Sequence, residues 1–174
     1  FWRHSLAVAF TAQALQTRTL SLGAPFPETY AAGLLHDIGM LVLDQLLGER
    51  YRDAIEAART TSRPLAEVEH ELLGTDHAQA GGRMLEVWHF PPILIDAVRN
   101  HSQPWVSGKT VTQLVHLADF LCNRQGIHHG SGYFPQGCDD RVWAELGLEK
   151  SHLDEIVASV QGELGRAEAV LAAM

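Results

Sequence analysis

Residues 28–47 read ETYAAGLLHDIGMLVLDQLL, and the reading of this stretch decides the fold. Tyr30, Leu34, Leu35, Ile38, Leu41, Val42 and Leu46 recur at helical spacing, and Gly48 is placed to end the segment. The pattern predicts one helix, apolar nearly all round and therefore central and buried. His36 and Asp37 fall in its middle. An ionised aspartate in such surroundings is costly unless it is paired or bound to a cation. Adjacent helical residues point about 100° apart, so both side chains reach one ion only if it lies against the helix wall.

Helix signals continue outward on both sides. A helix is predicted from Trp2 to about Leu22, ended by Gly23 and Pro25, with Pro27 at a first-turn position before Glu28. Downstream, helices are predicted from Glu49 to Thr60, from Pro64 through Leu73, and from a Thr75 or Asp76 cap through Trp88. Two more run from Pro91-Pro92 to His101 and from Thr110 to Asn123. Residues 102–109 and 125–138 read as loops. Helices around Val142 to Leu146 and after a Ser151-x-x-Asp154 cap close the chain. No strand alternation, repeat or low-complexity tract appears. The reading is all-α: a helical bundle over residues 1–124, with a loop and C-terminal helices over 125–174 packed on the same domain.

The chain has 174 residues, enough to bury about 70% of its unfolded surface without staples. Its net charge of −8 argues against nucleic-acid binding, which needs a basic face. A small phosphorylated ligand held by a metal stays compatible. Cys122 and Cys138 form no CxxC pair and read as free thiols of a reducing cytoplasm. No run approaches the roughly 20 apolar residues of a membrane helix, and no signal peptide is visible. The chain starts at Phe1 rather than Met and so reads as a piece of a longer protein.

Asp119 repeats the situation of Asp37, as the lone acid in Val115-His116-Leu117-Ala118-Asp119-Phe120-Leu121. His4 lies near the start of the first helix. His4, His36, Asp37 and Asp119 offer nitrogen and oxygen donors without thiolate, a set suited to Mn, Fe, Co, Mg or Zn. Helical bundles build such centres in their cores. The same residues also make a buried hydrogen-bonded network that needs no ion. His116 reads as either site or core. His70, His89, His128, His129 and His152 read as surface or loop residues, with His128-His129 able to take up metal adventitiously.

The order His4, then His36-Asp37 within Leu34-Leu35-His36-Asp37-Ile38-Gly39, then Asp119 after Leu117-Ala118, resembles the H…HD…D signature of HD-superfamily metal-dependent phosphohydrolases. Phe1-Trp2-x-His4-Ser5, Leu73-Gly74-x-Asp76-His77-Ala78 and Ala97-Val98-Arg99-x-His101 narrow the resemblance to the HDOD family, a regulatory branch found in bacterial signalling proteins. It covers roughly residues 1 to 124. It implies an all-α fold, with His4, His36, Asp37 and Asp119 as ligands of a first divalent metal. His77 and His101 match positions that bind a second, with Asp37 as the bridge. Arg3, Arg83 and Arg99 are close in sequence to these residues and are candidates to orient a phosphate, although solvated ion pairs are the commoner fate of such side chains.

The departures bear on activity. Many relatives have lysine after the HDIG segment, where this chain has Met40, and a second histidine often follows where this chain has Ser102. The Gly-Tyr-Pro motif of cyclic-dinucleotide phosphodiesterases does not follow His101. Gly132-Tyr133-Phe134-Pro135 lies beyond Asp119 and reads as a coincidence of loop composition. The resemblance therefore implies first a regulatory module that binds signalling partners or a small ligand. The second account is an active phosphohydrolase acting on nucleotides or cyclic dinucleotides.

Overall fold

The computed structural model describes residues 1–19, 26–129, 138, 140–148, 156, 160–162 and 165. Its helices are α1 (Trp2–Arg18), α2 (Glu28–Leu35), α3 (Ile38–Leu47), α4 (Glu49–Thr61) and α5 (Leu65–Leu73). There follow α6 (His77–Val87), α7 (Pro92–Asn100), α8 (Pro104–Ser107), α9 (Thr110–Arg124) and α10 (Asp140–Leu146). No strand occurs among the described residues, and none of their helices is long and apolar enough to cross a membrane. Asp76 caps α6 as expected, accepting from the Gln79 amide at 2.8 Å.

Two expectations for residues 28–47 are corrected. The single helix is two, α2 and α3, broken at His36 and Asp37. His36 donates its Nδ1–H to the Gly33 carbonyl at 2.8 Å, an acceptor that an uninterrupted helix offers to the Asp37 amide. Asp37 adopts φ −96°, ψ 8°, in the bridge region, and its carbonyl accepts from the Met40 amide at 2.8 Å. The segment is also not the central helix. Leu41 and Leu46 are 40% and 74% exposed. The central element is α9, buried from Val111 through Asp119 and packed against α1, α2, α7, α8 and α10.

Smaller differences follow local chemistry. α1 stops at Arg18 with Thr19 extended, and its expected terminators, Gly23 and Pro25, lie outside the described residues. Pro104 starts the one-turn α8 inside an expected loop. The Ser151-x-x-Asp154 cap and residues 132–135 lie outside the described residues.

Two apolar cores result. The larger gathers Val8, Leu15, Leu85, Val98, Leu114 and Leu117 from α1, α6, α7 and α9, and Ile127, Val142, Trp143 and Leu146 join it. The smaller, under α3, α4 and α5, holds Met40, Leu43, Tyr51, Ala58, Leu65 and Val68. Asp119 rides on α9 in the first, and Asp37 leads into α3 of the second. Each fully buried leucine contributes about 1.5–3 kcal/mol. That supply offsets the cost of setting charged groups between the two cores.

Candidate metal centre

Six of the residues singled out in the sequence converge at that junction. His4 comes from the first turn of α1, His36 and Asp37 from the break, and His77 from the first position of α6. His101 closes α7, and Asp119 comes from α9. All are buried, with no more than 4% of any exposed. Ligand atoms of His4, His36 and Asp119 lie within 4.8 Å of one another, and those of Asp37, His77 and His101 form a second such group.

The hydrogen bonds set the orientation of each imidazole. Nδ1 of His4 meets the Ile127 carbonyl at 2.7 Å, and Nδ1 of His101 meets the Val98 carbonyl at 2.8 Å. His36 uses Gly33 in the same way, and Nδ1 of His77 meets a Glu69 carboxylate oxygen at 2.5 Å. A carbonyl or carboxylate oxygen only accepts, so Nδ1 carries the proton in all four rings. Every Nε2 is thereby turned inward. The Nε2 atoms of His4, His36 and His101 are buried and make no hydrogen bond. His4 Nε2 lies 3.1 Å from Asp119 Oδ1. Imidazoles tied at Nδ1 and bare at Nε2 beside carboxylates are what a bound metal requires of its histidines.

Asp37 sits astride the two groups. Its Oδ2 faces His36 Nε2 at 3.3 Å and His4 Nε2 at 3.7 Å. Its Oδ1 faces His77 Nε2 at 3.5 Å and His101 Nε2 at 3.7 Å. The break before α3 is what turns Asp37 so that each oxygen addresses a different pair. Asp119 Oδ1 accepts from the Asn123 side-chain Nδ2 at 2.7 Å. The donor set, the bare Nε2 atoms and the divided carboxylate fit one or two divalent cations.

Without an ion, burial opposes charge on His4, but Asp119 and then Asp37 outweigh it and raise its pKa to about 9. Burial likewise opposes the charge on His77, and Glu69 overcomes it, lifting the ring to about 10. At His101 the balance is reversed: burial, then the charges of His36 and His77, outweigh Asp37 and lower it to about 3. Burial favours the neutral acid at Asp119, yet His4 and then His36 hold it at about 2. Burial works the same way on Asp37, and His36 followed by His77 keeps it well below the ordinary range.

Two participants escape a reading of the sequence, and the fold decides the place of a third. Glu69 is fully buried, accepting from Tyr51 Oη at 2.9 Å and from the His77 amide at 2.9 Å as well as from the His77 ring. Burial and then the Glu69 charge push the Tyr51 phenol far up, so it stays a donor. A sequence signal exists: Glu69 falls on the inward stripe of α5 with Leu65 and Val68. His116, open in the sequence between site and core, holds the His101 carbonyl at 2.8 Å and so braces the end of α7. His129, expected at the surface or in a loop, follows α9 outside any helix, is only 9% exposed and packs edge-on against His4, and burial lowers it to about 4. His70, His89 and His128 are exposed, and His152 lies outside the described residues.

The three arginines are placed differently. Arg83 and Arg99 both reach Glu86, at 3.2 and 2.8 Å, on the outer side of α6 and α7. Arg3 is exposed. Met40 enters the smaller core. Neither Cys122 nor Cys138 is in a disulfide.

Glu69→Gln tests the outer contact. The amide keeps the shape but loses the charge that fixes His77, and divalent-metal affinity is expected to fall by about 10- to 100-fold. Competition titration against a chromogenic chelator measures it. An affinity equal to wild type would show that His77 needs no help from Glu69.

An all-α bundle with buried histidines and aspartates in the order H…HD…D defines the class, an HD-type helical domain. The chain belongs to the HDOD domain family, whose model matches residues 1–104. That match ends before Asp119, which the fold brings to the other five residues. Similar structures include a protein from Marinobacter aquaeolei assigned to signal transduction, with 25% identity and a TM-score of 0.79 over 94% of this chain and 38% of that one. A protein from Shewanella amazonensis assigned as a phosphohydrolase shares the fold, at 21% identity and a TM-score of 0.72 over 95% of this chain and 62% of that one. The MmoQ response regulator from Methylococcus capsulatus matches at 25% identity and a TM-score of 0.63, over 90% of this chain and 59% of that one. The chain thus spans less than two thirds of each of these proteins. No curated protein sequence matches it significantly.

Proposed function

We propose that this HDOD domain is a regulatory signal-transduction module, acting by contact with other signalling domains or proteins, whose core is organised by divalent cations. His4, His36 and Asp119 would hold one ion, His77 and His101 a second, and Asp37 both. The observation that carries the regulatory reading is enclosure: none of these six residues is more than 4% exposed. A hydrolase must admit a phosphate to its metal and meet the transferring oxygens with positive groups. Arg83 and Arg99 are instead engaged with Glu86, and Met40 lies in the core. The signalling roles assigned to the Marinobacter and Methylococcus proteins point the same way. A small ligand has a place beside the centre. A groove of about 710 Å³ is lined by Asp76 and Ser102, the chain neighbours of His77 and His101, together with Arg63, His70 and Gln103.

One observation favours the second reading, a metal-dependent phosphohydrolase. Asp37 divides its oxygens between two imidazole pairs, an arrangement suited to two metals acting together. Bound ions would supply Lewis acidity there, while the four imidazoles and Asp119 would hold their positions. Metal analysis of freshly purified protein, followed by turnover assays with nucleotides, cyclic dinucleotides and a generic phosphodiester, separates the readings. The regulatory module is expected to hold metal stoichiometrically and turn over none of them. Turnover that disappears in Asp37→Ala would overturn it.

Metal binding is also expected to release protons. At neutral pH the metal-free His4 and His77 are protonated, since their pKa values are raised to about 9 and about 10. A cation needs the Nε2 lone pairs, so it must displace those protons. Affinity should therefore rise with pH, by up to about tenfold per unit for each proton displaced, between about pH 6 and 8. Calorimetry in buffers of different ionisation heat counts the protons. A flat profile with no proton release would contradict the charge states assigned to His4 and His77.

A further inference from the structure

The chain beyond α9 returns to the centre. Gly126 takes φ +73°, a left-handed turn, and the Ile127 amide bonds back to the Cys122 carbonyl at 3.0 Å. Ile127 is buried at 8% exposure, and its carbonyl is the acceptor that fixes His4. His128 then faces solvent and His129 faces in, an alternation proper to an extended segment.

The ring of His129 stands at 83° to that of His4, with centroids 5.7 Å apart. It continues a chain of imidazoles: His4 to His36 at 5.3 Å, His36 to His101 at 5.1 Å, and His101 to His77 at 5.4 Å. Two imidazoles on one ion, at metal–nitrogen distances of about 2.0–2.1 Å, hold their ring centroids about 5 Å apart. The pairs that would share an ion, His4 with His36 and His101 with His77, stand at 5.3 and 5.4 Å, against 5.7 Å for His129 with His4. His129 stands just outside the close group of His4, His36 and Asp119, so joining their ion requires its ring to move inward. Its ring also lies in the field of both carboxylates, Asp37 and Asp119.

We propose that His129 is a further ligand of this centre, a third imidazole for the ion held by His4, His36 and Asp119. The inference rests on the metal-centre reading given above. It assigns the segment after α9 a role that the rest of the ligand set does not supply. Binding at the centre then fixes residues 127–129 through two links, the Ile127 carbonyl on His4 and the imidazole of His129 on the ion. Cation occupancy becomes a property that this segment reports.

Mn(II) titration followed by electron paramagnetic resonance tests the assignment, with electron spin-echo modulation counting coupled imidazole nitrogens. Wild type, His129→Ala, His129→Gln and His128→Ala are compared, with circular dichroism confirming that each is folded. His129→Ala is expected to weaken one Mn(II) site by at least about tenfold and to remove one imidazole coupling. His129→Gln should lose the same coupling while keeping the side-chain bulk, and His128→Ala should match wild type. Wild-type Mn(II) affinity and an unchanged imidazole count in both His129 variants would overturn the inference and leave the centre itself intact. A wild-type protein that takes up no Mn(II), Zn(II) or Co(II) would remove the centre, and the role of His129 with it.

Discussion

Asp37→Asn is expected to lose both cations, lowering divalent-metal affinity by more than about 100-fold, beyond the 10- to 100-fold typical of an outer partner. Among the described residues the carboxylate is the one group addressed by all four inward Nε2 atoms, through Oδ2 on one side and Oδ1 on the other. Asparagine keeps the volume and hydrogen-bonding size but offers a single acceptor. Whichever way the amide turns, one imidazole pair faces an NH2 group where a ligand oxygen stood. Charge reinforces the geometry, because a buried divalent ion surrounded by neutral imidazoles needs carboxylates to compensate it. Two measurements check the prediction. Elemental analysis should find the variant nearly free of metal. Added Mn(II) or Zn(II) should raise the melting temperature of wild type and leave that of the variant in place, since a ligand stabilises only the state it binds. Stoichiometric metal at both groups in the variant would show that Asp37 does not join them.

Much of this centre is legible in the amino-acid sequence, because its signal is chemical incongruity. An aspartate among Leu34, Leu35, Ile38 and Leu41, and another among Val115, Leu117 and Leu121, demand an explanation by burial cost alone. The all-helical fold is legible from the period of the apolar residues and from punctuation at Pro27, Pro64, Asp76 and Pro92. What periodicity does not carry is a break within a helical pattern. Residues 28–47 keep their spacing straight through His36 and Asp37, and the interruption comes from a side chain taking the Gly33 carbonyl. Nor does apolar composition rank helices by depth. α3 is greasier than α9, yet Leu46 is 74% exposed while Gln113, Thr112 and His116 of α9 are buried. Position in the bundle, not hydrophobicity, decides that order.

Glu69 and His129 are hidden in the sequence for two different reasons. Glu69 looks like an ordinary acid of an amphipathic helix, and only the fold shows that its stripe faces His77 rather than apolar neighbours. His129 sits in a glycine-rich stretch where no period exists to read, and its direction is set by the turn at Gly126 and the bond from His4 to Ile127. Both cases have one source. Sequence spacing identifies which face of a helix is apolar, whereas contacts made across turns depend on dihedral angles that spacing does not encode.

Gly39→Ala is expected to destabilise the domain by about 4 kcal/mol or more, a large share of the 5–15 kcal/mol that holds a typical domain together. In an exposed helix the same change is stabilising by about 0.5–1 kcal/mol, so the sign itself is diagnostic. The reason is the approach of α6 to α3. A methyl group at position 39 would lie 1.8 Å from the His77 carbonyl oxygen and 2.6 Å from the Gly81 nitrogen, both backbone atoms that no rotamer change moves. The helices must separate, and His77 must move with its own carbonyl, away from an Asp37 oxygen that it now faces at 3.5 Å. Gly81→Ala is the comparison. Its nearest obstacle is the Val98 Cγ1 atom at 3.0 Å, a side chain that can shift, so a cost of about 1–3 kcal/mol is expected. Urea unfolding of the two variants measures the difference. Equal costs would mean that α3 and α6 do not meet as closely as described. A larger cost at Gly39, accompanied by weaker metal binding, would tie the glycine of the HDIG segment to the centre. It would act there not through any chemistry of its own but by letting one backbone carry His77 to Asp37.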